Sequence, residues 1–103
     1  MVILGTVKSV TDIREVEFQK RDGSKEKASV QGFIVKSCDD EVYVEGFGDV
    51  VKSLKEGGLQ EGDIVQISAT CSVRERTTDK GVFYSNNFRL NAIDWIEKKD
   101  RAF

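Results

Sequence analysis

The sequence predicts an all-β chain that closes as a five-stranded barrel, with one short helix between the third and fourth strands. Three observations carry this. Between residues 41 and 47, Val42 and Val44 alternate with Tyr43 and Glu45, the period of a strand with one buried face. Gly46-Phe47-Gly48 then breaks the strand, Asp49 stands at a helix N-cap position, and Val50, Val51 and Leu54 share one side of about two turns that Gly57-Gly58 stops. Finally, Ile64 to Val73 is the longest strand signal in the chain. An SH3-like barrel would not place a helix there. An open α+β sandwich would need more helix than this to cover its sheet.

Taken in order, Val2 to Val10 opens the first strand, and Gly5 is where a coiled strand can bend. Residues 11–18 continue it, with Ile13, Val16 and Phe18 apolar amid charge. Lys20-Arg21-Asp22-Gly23-Ser24-Lys25 is a turn pivoting on Asp-Gly. Residues 28–36 form the second strand, with Phe33 and Val35 on one side and Val30 and Ile34 on the other; Phe33 is assigned to the core. Cys38-Asp39-Asp40 is a tight connection into the third strand. After the helix, placed at residues 49–56, Leu59 to Asp63 turns the chain into the fourth strand. Thr77-Thr78-Asp79-Lys80-Gly81 turns it again, and the fifth strand runs from Val82 to about Ile96. Trp95 is read as a core or subunit-interface residue. Proline is absent, and a β protein without it protects its edges by closing the sheet.

At 103 residues the chain is read as one domain, because it is too short for two cores. No apolar run reaches the roughly 18 residues of a membrane span, and Met1-Val2-Ile3-Leu4 lacks the basic leader and length of a signal peptide. The expected location is the cytoplasm. Cys38 and Cys71 have no metal-ligand spacing and no histidine exists to complete a site, so neither a metal nor any other cofactor is expected. Cys71 is taken as a small buried hydrophobe and Cys38 as a loop thiol. Without histidine the commonest general base near neutral pH is missing, and the chain is not expected to be an enzyme. The net charge of −2 opposes a generally basic nucleic-acid binder, but it is unevenly spread. Residues 37–63 hold two lysines against eight carboxylates, a balance of −6, so the remainder carries +4. Local field, rather than total charge, attracts a phosphate chain.

The order of these motifs resembles that of the single-stranded-DNA-binding protein family. The likeness rests on Ile3-Leu4-Gly5 in the first strand, Val44-Glu45-Gly46-Phe47-Gly48-Asp49 at the helix, Leu59-Gln60-Glu61-Gly62-Asp63-Ile64-Val65 before the fourth strand, and Arg74-Glu75-Arg76 with Asp79-Lys80-Gly81 and Tyr84 in the long hairpin. A closer likeness is to a group of small bacterial single-domain proteins of unassigned function that share a Phe/Trp-Gly, a Gly-Asp-x-Val and an Arg-Glu hairpin. The resemblance implies a five-stranded oligonucleotide/oligosaccharide-binding (OB) barrel, a bacterial source, and pairing of subunits through the first strand as a dimer or tetramer. The sequence departs from the pattern in three places. Glu41 stands where the family carries a third-strand aromatic, Arg76 occupies the hairpin aromatic's position, and the acidic Phe-tipped tail is replaced by a basic end at Phe103.

Single-strand binding needs flat π-faces for bases and cations for phosphates within one reach. Tyr43 and Phe47 lie on the face opposite Val42 and Val44; Phe47 matches a stacking position of the family, although filling the barrel bottom is open to it. Arg74 and Arg76 share the face of Gln66, Ser68, Thr70 and Ser72, with Tyr84 on the returning arm. Lys20 and Lys27 belong to the basic cluster around the first hairpin. The favoured reading is a sequence-tolerant binder of single-stranded DNA or RNA. The alternative is an OB module for protein–protein assembly that binds no nucleic acid. An oligosaccharide or small-ligand site has no dedicated residues.

Overall fold

Seven elements follow one another in the computed structural model, which describes residues 1–99. They are β1 (Val2–Val10), β2 (Arg14–Gln19), β3 (Lys25–Ser37), β4 (Asp40–Phe47), α1 (Asp49–Gly57), β5 (Ile64–Thr78) and β6 (Gly81–Glu97). The basic end at Phe103 lies outside the described residues. The predicted first strand is thus two strands. Thr11 ends β1 by hydrogen-bonding its own backbone and side chain to Gly32: its N–H donates to the Gly32 carbonyl at 2.8 Å, and its Oγ1 accepts the Gly32 N–H at 2.9 Å.

Five strands form a ring: β1 pairs with β3, β3 with β4, β4 with β6, β6 with β5, and β5 with β1. All these pairings are antiparallel except the short β4–β6 contact. The strand β1 serves two neighbours in succession, β5 through residues 2–6 and β3 from Thr6 onward. Gly5 stands at that exchange, where a Cβ would collide with the Lys36 carbonyl oxygen; only glycine lets the strands come this close. A shift of register between Val7 and Ser9 bends the strand further around the ring. Val7, Phe33, Val35, Val44, Leu54, Val65, Ile67, Ala69 and Leu90 fill the interior, so Phe33 is core as expected.

The helix α1 lies between the third and fourth strands of the ring. Its N-cap is Gly48, at φ 59°, with no side-chain cap; Asp49, expected at the cap, is instead the first helical residue. A side chain at Gly48 would strain that backbone. Asp49 still places a carboxylate in the first turn, where the helix dipole favours it. Gly58 in the left-handed conformation ends the helix, its N–H on the Lys55 carbonyl at 3.1 Å and the Leu59 N–H on that of Leu54 at 3.2 Å. Val51 and Leu54 are the side chains it buries.

Asp63 is fully buried and fastens the turn before β5 to the end of β6. Its carboxylate accepts hydrogen bonds from the Gln60 N–H at 3.1 Å, the Trp95 Nε1–H at 3.2 Å and the Lys99 N–H at 2.7 Å. Trp95 is half-buried, its ring lying where a Cβ on Gly57 would be and the Lys98 ammonium 5.2 Å from its centroid. It packs against the core of its own chain.

The strands β5 and β6, of 15 and 17 residues, are longer than the ring requires. Their last fully buried partners are Ala69 and Leu90, and past the β4–β6 pairing at Phe88 and Arg89 a two-stranded arm leaves the barrel. The Cα radius of gyration is accordingly 15.6 Å, against about 13 Å for a compact chain of this size. The end of the core explains why Cys71 is exposed rather than buried: Cys71 is one step past it, and alternation there no longer selects an inside. Cys38 is exposed as well and takes the left-handed conformation, φ 56°, in the two-residue turn between β3 and β4. No helix of the described residues is long and apolar enough to cross a membrane.

Candidate nucleic-acid interface

Registers across the sheet determine which side chains share the outer face. On β4, Tyr43, Glu45 and Phe47 point away from Val44, which is wholly buried; Tyr43 and Phe47 are 42% and 41% exposed. Phe47 is therefore a surface aromatic and does not fill the barrel bottom. Glu45 pairs with Arg89 on β6, and Arg89 pairs with Thr70 on β5. From there the arm continues the same face through Ser72 with Asn87, Arg74 with Ser85, and Arg76 with Phe83.

Glu45, Phe47, Thr70, Ser72, Arg74, Asn87, Phe88 and Arg89 line one cleft of about 410 Å³. A second hollow, lined by Arg74, Glu75, Arg76 and Ser85, extends it along the arm. Two of the sequence-predicted residues, Phe47 and Arg74, thus meet in the cleft, and Arg76 adjoins it. Arg74, Arg76 and Arg89 take part in no ion pair among the described residues. Their charge is available to a ligand.

Tyr43 is held beside the cleft by small neighbours. Its ring crosses Gly32, the β3 residue opposite Glu45, so closely that a Cβ there would overlap the phenol. The Tyr43 hydroxyl lies 3.4 Å from Glu45 Oε2, and Arg14 Nη2 donates to the same oxygen at 2.5 Å. Arg14 thereby offsets a carboxylate that would repel a phosphate chain. Glu41, the other carboxylate on this strand, is similarly compensated: the Lys8 ammonium donates to its Oε1, and this hydrogen bond and charge hold the Glu41 carboxyl below its ordinary range.

Three predicted residues fall elsewhere. Tyr84 is 70% exposed, but it pairs with Glu75 and so stands on the reverse face of the arm from Arg74 and Arg76. Lys27 pairs with Glu17 on β2, three residues along from Val30, and so falls on the opposite face from Val30 and Phe47. Lys20 lies at the tip of the β2–β3 hairpin in an ion pair with Glu26 at 2.9 Å. Phe83 and Arg89 join the site without having been singled out from the sequence. The clue to Phe83 lies in counting across the two-residue turn Asp79-Lys80, because Thr78 opposite Gly81 puts Phe83 opposite Arg76. The hairpin thus carries its aromatic on the strand facing Arg76. Arg89 follows only from the β4–β6 pairing, which no local pattern encodes.

Five strands closed in this order, with a helix between the third and fourth, define an OB fold. Solved structures agree over nearly the whole chain. The mitochondrial single-stranded DNA-binding protein Rim1 of S. cerevisiae superposes with a TM-score of 0.67 at 12% identity, covering 98% of this chain and 96% of the other. Another crystal form of Rim1 gives 0.58 at 10% identity, with 96% of each chain covered. The second OB-fold domain of replication protein A from Methanococcus maripaludis gives 0.60 at 18% identity, over 97% of this chain and 86% of that one. In sequence, no protein-family model and no curated protein matches the chain.

Proposed function

We propose that the chain binds single-stranded nucleic acid, DNA or RNA, largely irrespective of sequence. The observation that carries this reading is the convergence of exposed Phe47 with Arg74 and Arg89 in one open cleft, continued by Arg76 and Phe83 on the same face. A strand lying from β4 along the arm stacks bases on Tyr43, Phe47 and Phe83, each worth roughly 1–3 kcal/mol. The three arginines take the phosphates. The fold it shares with proteins that bind single-stranded DNA supports the same reading.

Three arginines are few, so binding is weak and strongly salt-dependent. At roughly −0.7 per phosphate neutralised, the slope of log affinity against log salt is about −2. The deciding experiment is a fluorescence-anisotropy titration of a labelled single-stranded oligonucleotide at low salt, repeated as salt is raised. Saturable binding that salt reverses supports the proposal; no binding of a long oligonucleotide at low salt ends it.

Self-association is proposed alongside. Val2 and Leu4 are 66% and 54% exposed on β1 and border a hollow that reaches Cys38 and Val42. A second copy covering this apolar strand would remove it from water. Sedimentation that gives a concentration-independent monomer removes this part and leaves the first untouched.

A further inference from the structure

Glu45 is the one carboxylate among the residues lining the cleft, and its two oxygens differ. Oε2 is occupied by Arg14 and lies near the Tyr43 hydroxyl, whereas Oε1 accepts no hydrogen bond from any described residue. The side chain is only 28% exposed and Arg14 holds its other oxygen, which together restrain this acceptor beside the cleft. Glu45 and Phe47 are two residues apart on one face of β4, which sets them about 6–7 Å apart. That is the separation between a ring under a base and a group at the base's edge. Asn87, which both donates and accepts, and Arg89, which only donates, line the same cleft.

We infer that Glu45 makes one position of the site base-selective, preferring a base with an exocyclic amine to one with a carbonyl in its place. The inference rests on the single-strand-binding reading above and refines it. A carboxylate oxygen can only accept, so it takes a hydrogen bond from N4 of cytosine and repels O4 of thymine or uracil. Cytosine's remaining edge atoms, N3 and O2, are acceptors and suit Arg89 or the Asn87 amide. The carboxylate, unhelpful to a phosphate chain, is thus given a use at the base edge. Along the rest of the arm, stacking and arginine contacts remain indifferent to sequence.

Oligodeoxycytidine and oligodeoxyuridine of equal length isolate the effect, because both are pyrimidines and neither carries the thymine methyl. Titrated against the intact protein at neutral pH and fixed salt, the cytidine strand should bind roughly 3–10-fold more tightly, the worth of one hydrogen bond made or opposed. Glu45→Gln, whose amide can turn to serve either base, should bring the ratio close to one, and Glu45→Ala should do the same. Glu45→Asp, still anionic, should keep its direction. Equal binding of the two strands by the unaltered protein, or tighter binding of uridine, overturns the selectivity while leaving single-strand binding intact. A ratio unchanged in both Glu45→Gln and Glu45→Ala also overturns it. Failure to bind either strand overturns both readings.

Discussion

Arg76 and Phe83 face one another across the β5–β6 ladder, while Glu75 and Tyr84, the next pair along, occupy the reverse face. A cation and an aromatic ring are therefore presented together on the side that the cleft opens to. Phe83→Ala should weaken single-strand binding by roughly 1–3 kcal/mol, the value of one base platform, with little change in salt slope. Tyr84→Ala should cost much less. Anisotropy titrations of the two variants decide it, and a larger loss at Tyr84 would put the ligand on the other face of the arm.

Charge and stacking are separable in the same assay. Replacing Arg74 and Arg76 together by alanine should flatten the slope of log affinity against log salt by about 1.4, since each phosphate contact contributes roughly 0.7. The fold should be unaffected, because both side chains are exposed and in no ion pair among the described residues. A slope that stays the same would assign the phosphate contacts to other cations.

Tyr43 depends on what lies beneath it. A methyl group at Gly32 would overlap its phenol, and the conflicting atoms belong to a partly exposed side chain that can swing away. Gly32→Ala should therefore leave the protein folded, because alanine surrenders less chain entropy than glycine on folding and so offsets the displaced ring. It should nevertheless bind single strands about as weakly as Tyr43→Ala. Thermal unfolding followed by circular dichroism, together with a binding titration, tests both halves. Binding equal to that of the unaltered protein would remove Tyr43 from the site.

Asp63 governs stability rather than binding. Asp63→Asn preserves shape but turns an amide N–H₂ toward the N–H groups of Gln60, Trp95 or Lys99. Leaving buried donors unmatched costs about 1–3 kcal/mol for each group, so the variant should lose roughly 2–4 kcal/mol in urea unfolding. Trp95, the sole tryptophan, reports the transition by fluorescence. A loss below about 1 kcal/mol would mean that the turn finds other partners.

Much of this architecture is written locally. Alternation at Val42 and Val44, the Phe47-Gly48 break, and Gly62-Asp63 before Ile64 each act over a few residues, and each determines an element by its own sterics or burial. The same holds for the sidedness of Tyr43, because a strand with one buried face leaves the other to solvent. Phe47 shares that face, but the strand's period left a place under the helix open to it, and only the fold leaves it exposed. Cys71 reads as buried but is exposed, because alternation implies an inside only while a core lies beneath it. Nothing in Ser72 to Thr78 announces that the core has ended at Ala69. Tyr84 stands out in the sequence over Phe83 for a related reason: a strand's own period gives two faces but not which of them meets the face of its partner. That is set by the register of pairing, here fixed at the Thr78–Gly81 turn. The grouping of Glu45 with Arg89 required the parallel β4–β6 contact, made by residues 44 apart in sequence. The sequence by itself determined the helix, the later strands and the outward side of Tyr43. Only the tertiary structure decided that the first strand divides at Thr11, that Phe47 stays at the surface, and which cations these aromatics share a face with, because each of those depends on contacts between residues far apart in the chain.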